Sequence, residues 1–390
     1  MWNIRKLSED NYAYMVKLRR EFHMNPELSF KEFETSKRII EELEKMGVEC
    51  KKVLDTGVVA VIRCGRPGKV VALRADIDAL EIKELSGVEY ESKNEGIMHA
   101  CGHDMHTASL LGAIRIINEI KDELSGTVKF IFQPGEETVT GAFKMMAVDN
   151  FMDDVKAILG VHNFAIYDSG SIYLKDGGVM FAGEGFKIKV NGEGGHGSTP
   201  HLAKDAMLAA SNILIALQKI VSTEIDAQES AVVTVGKFSS GTRANIIVDY
   251  AEMAGTYRCY TKKVENKIKE AIVRIAENTA SVYGVTAEVE FSMYVPAVMN
   301  NAEVGKIIKG SAQKIVAGDE KVLEAKSLTS SDDFAYFTHK APGYYAFVGS
   351  GIADESKRYS LHSSYFVIDE KALETTAALY AQFAVDFLNS

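Results

Sequence analysis

At 390 residues the chain exceeds what one ordinary core holds, so two domains are expected. The composition, 46% apolar and 25% charged without a low-complexity tract, is that of a globular protein. A net charge of −10 and the lack of any Lys/Arg-rich run argue against nucleic acid or an anionic membrane surface as a partner.

The first residues carry no apolar signal-peptide core, and no stretch reaches the roughly 18 apolar residues of a membrane span. Cys50, Cys64, Cys101 and Cys259 are scattered, and a chain of this size needs no disulfide framework, so reduced thiols in the cytoplasm are expected. Helical patterns run over about 10–22 and about 30–46, the second ending at Gly47. Strand-like runs follow at about 58–63, 70–75, 128–132 and 157–161, with a helix at about 104–121 among them. That alternation predicts a layered α/β sheet.

From about residue 184 the rhythm changes. A strand (FKIKV), a helix at about 202–222, strands at about 231–238 and 246–257, a helix at about 263–282 and a strand (TAEVEFS) read as βαββαβ, the ferredoxin-like order. The α/β pattern then resumes with a strand at about 344–349 and a closing helix at about 370–388. The small domain, 184–295, is therefore expected as an insertion between catalytic segments 1–183 and 296–390.

The densest chemistry lies in Met98-His-Ala-Cys-Gly-His-Asp-Met-His106, just before a helix. Thiolate and neutral imidazole are good ligands for first-row metals, while Asp104 also suits a helix N-cap. Glu136 and Glu137 follow the run VKFIF, where one carboxylate can bind metal and the other act on water. His162 follows the run AILGV, and His362 sits in Leu-His-Ser. Glu136, Glu137 and His162 are expected just past the C-terminal ends of strands, the edge where open α/β sheets bind ligands, and Asp76 and Asp78 can line the same edge. Gly192-x-Gly194-x-x-Gly197 matches a dinucleotide fingerprint, but Pro200 and His201 separate it from the next helix. It reads instead as the loop presenting His196.

Taken in order, these segments resemble peptidase family M20, and within it the branch of hippurate hydrolases, indoleacetyl-amino-acid hydrolases and N-acetyldiaminopimelate deacetylases. The resemblance also covers Arg19–Leu28, Leu73–Ala79 and Gly195–His201. It implies a mixed-sheet α/β metallohydrolase domain with an inserted lid that often forms homodimers. It implies two divalent ions (Zn, Mn, Co or Ni) on Cys101, His103, Glu137, His162 and His362. Glu136 matches the general base, His196 a residue polarising the scissile carbonyl, sometimes from the partner subunit, and Asn245 and Arg258 the substrate's carboxylate site. The implied activity is hydrolysis of N-acyl-amino acids.

Three departures touch the pocket wall rather than these residues: Gly135 where the family has Ala, with Thr138-Val-Thr-Gly141 after it; Ser330-Ser-Asp-Asp-Phe334 in place of Gly-x-Glu-Asp-Phe; and Ser363 after His362. Two other readings compete. A thiol amidase using Cys101 would leave the Glu pair idle, and a non-catalytic metal- or carboxylate-binding protein would have no use for Glu136.

Overall fold

The structure is a computed structural model describing residues 2–316 and 320–390. Among the described residues the chain forms two compact units. One comprises the chain up to Val179, Val298–Ser327 and Asp332–Ser390; the other Met180–Ala297 and Leu328–Ser331.

The first unit is built on an eight-stranded mixed sheet in the order Glu49–Val53, Gly57–Arg63, Ser125–Gln133, Arg66–Asp76, Ala157–Asp168, Gly343–Gly351, Ile172–Leu174 and Val322–Glu324. Its four central strands run parallel. Val71, Ala72 and Leu73 have no exposed surface, as expected of parallel strands covered on both faces. Helices Tyr12–Met24, His103–Ile120 and Ala372–Leu388 pack on one another, and the last two also pack against Arg66–Asp76. Each fully buried Leu, Ile or Val there contributes about 1.5–3 kcal/mol. No helix among the described residues is long and apolar enough to cross a membrane.

The second unit holds an antiparallel sheet in the order Ala231–Ser240, Tyr250–Cys259, Ala182–Asn191 and Thr286–Phe291. Helices Ala206–Leu217 and Lys262–Val282 pack together against it, giving the order βαββαβ. Ile188, Val190, Ile213, Met253 and Ile272 form its separate core.

Several elements differ from expectation. The helix predicted over 202–222 begins at Ala206, because the Asp205 side chain accepts the Leu208 N–H at 2.9 Å and Pro200–Leu202 forms its own turn. The strand predicted over 246–257 is divided: Ile246–Ile247 pairs with Gly195–His196, and Tyr250 starts the main strand. The helix Ala302–Ile315, capped by Asn301, was not expected. His162 lies inside its strand rather than past its end. Pairing with Arg66–Asp76 stops at Gly160, but the strand continues to Asp168 against Gly343–Gly351.

Candidate metal centre

The five expected ligands come from separate segments of the first unit. Cys101 and His103 stand at the start of the helix His103–Ile120, Glu137 in the turn Glu136–Thr138, His162 in its strand and His362 in a loop. They converge. The ligand atoms of Cys101, His103 and His162 lie within 4.8 Å of one another, as do those of Cys101, Glu137 and His362, so both groups share Cys101. Cys101 Sγ is 3.4 Å from His162 Nε2, and Glu137 Oε1 is 3.5 Å from His362 Nε2 and 3.9 Å from His103 Nε2.

Backbone geometry makes this meeting possible. Gly102 has φ +86°, and a Cβ there would stand 2.1 Å from Asn163 Nδ2, so only glycine can part Cys101 from His103 at this place. Gly102, not Asp104, is the N-cap residue. Asp104 instead accepts bonds from Arg19 Nε and His23 Nδ1, both at 2.9 Å, which is where the Arg19–Leu28 motif acts. His362 itself has φ +65°, a strained conformation costing about 1–3 kcal/mol. Its N–H is held by Ala100 O at 2.9 Å.

Hydrogen bonds set the ring orientations. His103 Nδ1 bonds Asp78 O at 2.9 Å and His162 Nδ1 bonds Asn163 O at 2.8 Å, which leaves each Nε2 as the nitrogen that could take a cation. Asp78 Oδ2 also accepts the Glu137 N–H at 3.0 Å. Asp78 thus orients two ligands from the strand edge.

Electrostatics fit a cation. His103 Nε2 and Glu137 Oε1 are buried without a hydrogen-bond partner. Burial opposes charge on His103, but Asp76 and Cys101 outweigh it and hold its pKa well above the ordinary value. Burial pushes the Cys101 thiol well up and Glu137 to about 7. Burial lowers His162 well below the usual range, and His106 beside it adds to this; burial and His103 lower His362. Without ions, the shifts of Cys101, Glu137 and His103 all favour their protonated forms. Mixed thiolate, imidazole and carboxylate donors in two overlapping groups fit two divalent cations in place of those protons.

Glu136 lies in neither Cys101 group. Its Oε2 is 4.0 Å from His103 Nε2, it lies within 4.8 Å of His103 and Glu137 together, and on its other side stand the buried carboxyls of Asp332 and Asp333. Burial raises its pKa well above the usual range, with Asp332 and Glu137 adding like charge. Arg74 pins this corner: it bonds Gln133 Oε1 at 2.8 Å and Asp76 Oδ2 at 2.7 Å, and Asp333 Oδ1 lies 3.3 Å away. Two departures from the family pattern find reasons here. A Cβ on Gly135 would stand 2.4 Å from the Phe30 ring, so Phe30 fills the space of the family's alanine. Asp332 accepts the Tyr345 hydroxyl at 2.5 Å and the Phe334 N–H at 2.7 Å.

The other three expected residues belong to the second unit. His196 is exposed, and its Nδ1 accepts the Ser198 N–H at 3.1 Å, which leaves the proton on Nε2. Asn245 is exposed, with its carbonyl accepting Gly197 N–H at 2.9 Å. Arg258 is half-buried over Gly183 and bonds Tyr257 O at 2.9 Å; no carboxylate pairs with it among the described residues. Burial lowers its pKa.

The profile of peptidase family M20/M25/M40 matches residues 72–386. The chain belongs to this family. It is 40% identical over 380 residues to thermostable carboxypeptidase 2 of Saccharolobus solfataricus, covering 96% of each chain. It is 37% identical to N-acetylcysteine deacetylase of Bacillus subtilis, covering 97% of this chain and 98% of that one. A solved Bacillus subtilis dinuclear metal binding peptidase of the M20 family superposes with a TM-score of 0.87 at 35% identity, covering 98% of this chain and 99% of that one. As a member of this family, the chain is a metal-dependent amide hydrolase.

Sequence patterns left some functional neighbours unassigned. His106 and Asn163, one turn or one residue from ligands, were visible only as neighbours in sequence. Asp332 and Asp333 stand about 200 residues from Glu136 in the chain, and nothing local announces that meeting.

Proposed function

We propose that the protein hydrolyses N-acyl-amino acids at the amide bond, with two divalent cations per chain on Cys101, His103, Glu137, His162 and His362. One observation carries this reading: two ligand groups share Cys101, and a carboxylate outside both stands 4.0 Å from a ligand nitrogen. When bound, the cations polarise the carbonyl oxygen and lower the pKa of water from about 15.7 to roughly 7. Glu136 Oε2 takes the proton of the attacking water and delivers it to the leaving amine nitrogen. His196 Nε2–H donates to the developing oxyanion.

Arg258 and Asn245 bind the substrate's α-carboxylate. The half-buried guanidinium, which no carboxylate pairs with among the described residues, supports this, because its planar fork matches a carboxylate. Relatives named a carboxypeptidase and an N-acetylcysteine deacetylase also support an N-acyl-amino acid as the substrate class.

The deciding experiment is a panel of N-acetyl- and N-benzoyl-amino acids and their C-terminal amides, assayed before chelation, after it, and after adding Mn or Zn. Chelation should abolish cleavage and metal restore it, with acids preferred over amides by about 10–100-fold in kcat/KM. Absence of cleavage with ions bound would remove the proposed function. Equal rates on acids and amides would remove the role of Arg258.

We also propose that the second unit pairs two copies of the chain. Leu208 and Ile215, seven residues apart on one helix, are 50% and 70% exposed, and Ala231–Ser240 is the edge strand of its sheet, with no strand on its outer side among the described residues and Val232 and Phe238 exposed. Light scattering should report a dimer at micromolar concentration and a monomer for Ile215→Glu; a monomeric wild type would overturn the proposal. The four cysteines are free thiols, which supports a cytoplasmic location. Cell fractionation that finds the protein elsewhere would correct it.

A further inference from the structure

We propose that His106 is a positioning residue: held by Asp76, it locks the Asn163 amide, and Asn163 in turn aims Cys101 and His162 at the cation they share. The proposal rests on the reading of these two residues as ligands.

His106, Asp76 and Asn163 have essentially no exposed surface. Asp76, His103 and His106 present ligand atoms within 4.8 Å of one another, which by spacing alone resembles a further metal site. Both nitrogens of His106 are already engaged, however. Nδ1 stands 2.5 Å from Asp76 Oδ1, and Nε2 accepts the backbone N–H of Asn163 at 3.0 Å. Asp76 is anchored in turn by Arg74 at 2.7 Å. His106 has no lone pair left for an ion, so it orients rather than ligates.

The bonds assign the tautomer. A backbone N–H can only donate, so Nε2 must be unprotonated, and the ring proton sits on Nδ1 facing the Asp76 carboxylate. With Nε2 an acceptor, the Asn163 side chain has one orientation open to it. Its Nδ2 lies 2.9 Å from His106 Nε2 and 3.0 Å from Cys101 O, while its Oδ1 accepts the Ser350 hydroxyl at 3.1 Å. Turning the amide over would set its oxygen against two acceptors at once. Asn163 thereby holds the peptide of Cys101, and its own carbonyl accepts His162 Nδ1 at 2.8 Å. Gly102 leaves the space in which the amide sits. Two ligands on different elements are thus tied to one internal hub, and the hub to one histidine tautomer.

The test uses His106→Asn, His106→Gln and Ser350→Ala in the full chain. Asn places a donor near the Nδ1 position and can still serve Asp76, but does not reach Asn163. Gln places an acceptor near the Nε2 position and can still serve Asn163. Ion-free proteins are titrated with Co(II) by calorimetry, and the thiolate-to-cobalt charge-transfer absorption reports Cys101 ligation. The wild type should take two ions. H106N should weaken one of them by about 10–100-fold with a changed absorption band, while H106Q stays within a few-fold of wild type. S350A, a milder change that touches no ligand, should weaken the same ion by a few-fold and keeps the test open if H106N does not fold. A space-filling role alone would make H106N and H106Q equivalent. The proposal is overturned if H106Q loses as much affinity as H106N, if H106N binds both ions as tightly as wild type, or if S350A leaves both affinities unchanged. A wild type that takes up no ion would overturn the ligand assignment itself, and this proposal with it.

Discussion

Glu136→Gln is expected to lower kcat by about 10²–10⁴-fold while two cations per chain remain bound. Gln has nearly the same volume and can still accept hydrogen bonds, but it cannot carry the proton from water to the leaving amine. Glu136 lies within 4.8 Å of His103 and Glu137 but outside both groups that share Cys101; as it is read as the base and not a ligand, its amide should leave both ions in place. Its backbone position is fixed independently, by the left-handed Gly135 before it and by the Glu136 carbonyl, which accepts the Val139 N–H at 2.6 Å. The loss should fall on kcat with little change in KM, because the proton moves only as the reaction proceeds. Kinetics together with metal analysis decide the point. A near-normal kcat would remove Glu136 as the base, and loss of an ion would make it a ligand instead.

The contrast between the two glutamates shows how far the chain could be read unaided. Family resemblance separates their roles by position in Gln-Pro-Gly-Glu-Glu; in the structure both approach His103, but Glu137 also meets Cys101 and His362, whereas Glu136 also meets Asp332 and Asp333. The mixed α/β character was legible because strands such as Val70–Ala75 are unbroken apolar runs and helices such as 262–282 carry a 3.6-residue stripe. Segments decided by partners rather than by their own residues were not. The strand through His162 continues to Asp168 because another strand, nearly 200 residues later in the chain, supplies its hydrogen bonds. Asp104 suits a cap by type, yet buried Arg19 and His23 claim its carboxylate, and a glycine takes the cap position.

The same dependence on distant partners governs what should follow when a shared ligand is lost. Cys101→Ala is expected to abolish turnover and to remove both cations at ion concentrations that saturate the wild type, whereas His362→Ala should remove one. Cys101 belongs to both ligand groups; His362 belongs to one and is the most exposed ligand of the five, its side chain 51% accessible. Affinity should also depend steeply on pH. His103, Glu137 and Cys101 are shifted upward in the ion-free protein, Glu137 to about 7, so each carries a proton at or near neutrality. A cation must displace those protons, and so binding tightens as pH rises and weakens as it falls. Between pH 6 and 8 the affinity for the ion on Cys101, Glu137 and His362 should rise about tenfold or more per pH unit, since at least one proton is released for each ion bound. Calorimetry in buffers of different ionisation enthalpy measures that number directly. A pH-independent affinity would mean that the ligands are already deprotonated before the ion arrives, and two ions retained by Cys101→Ala would mean that the thiolate is not the atom joining the two groups.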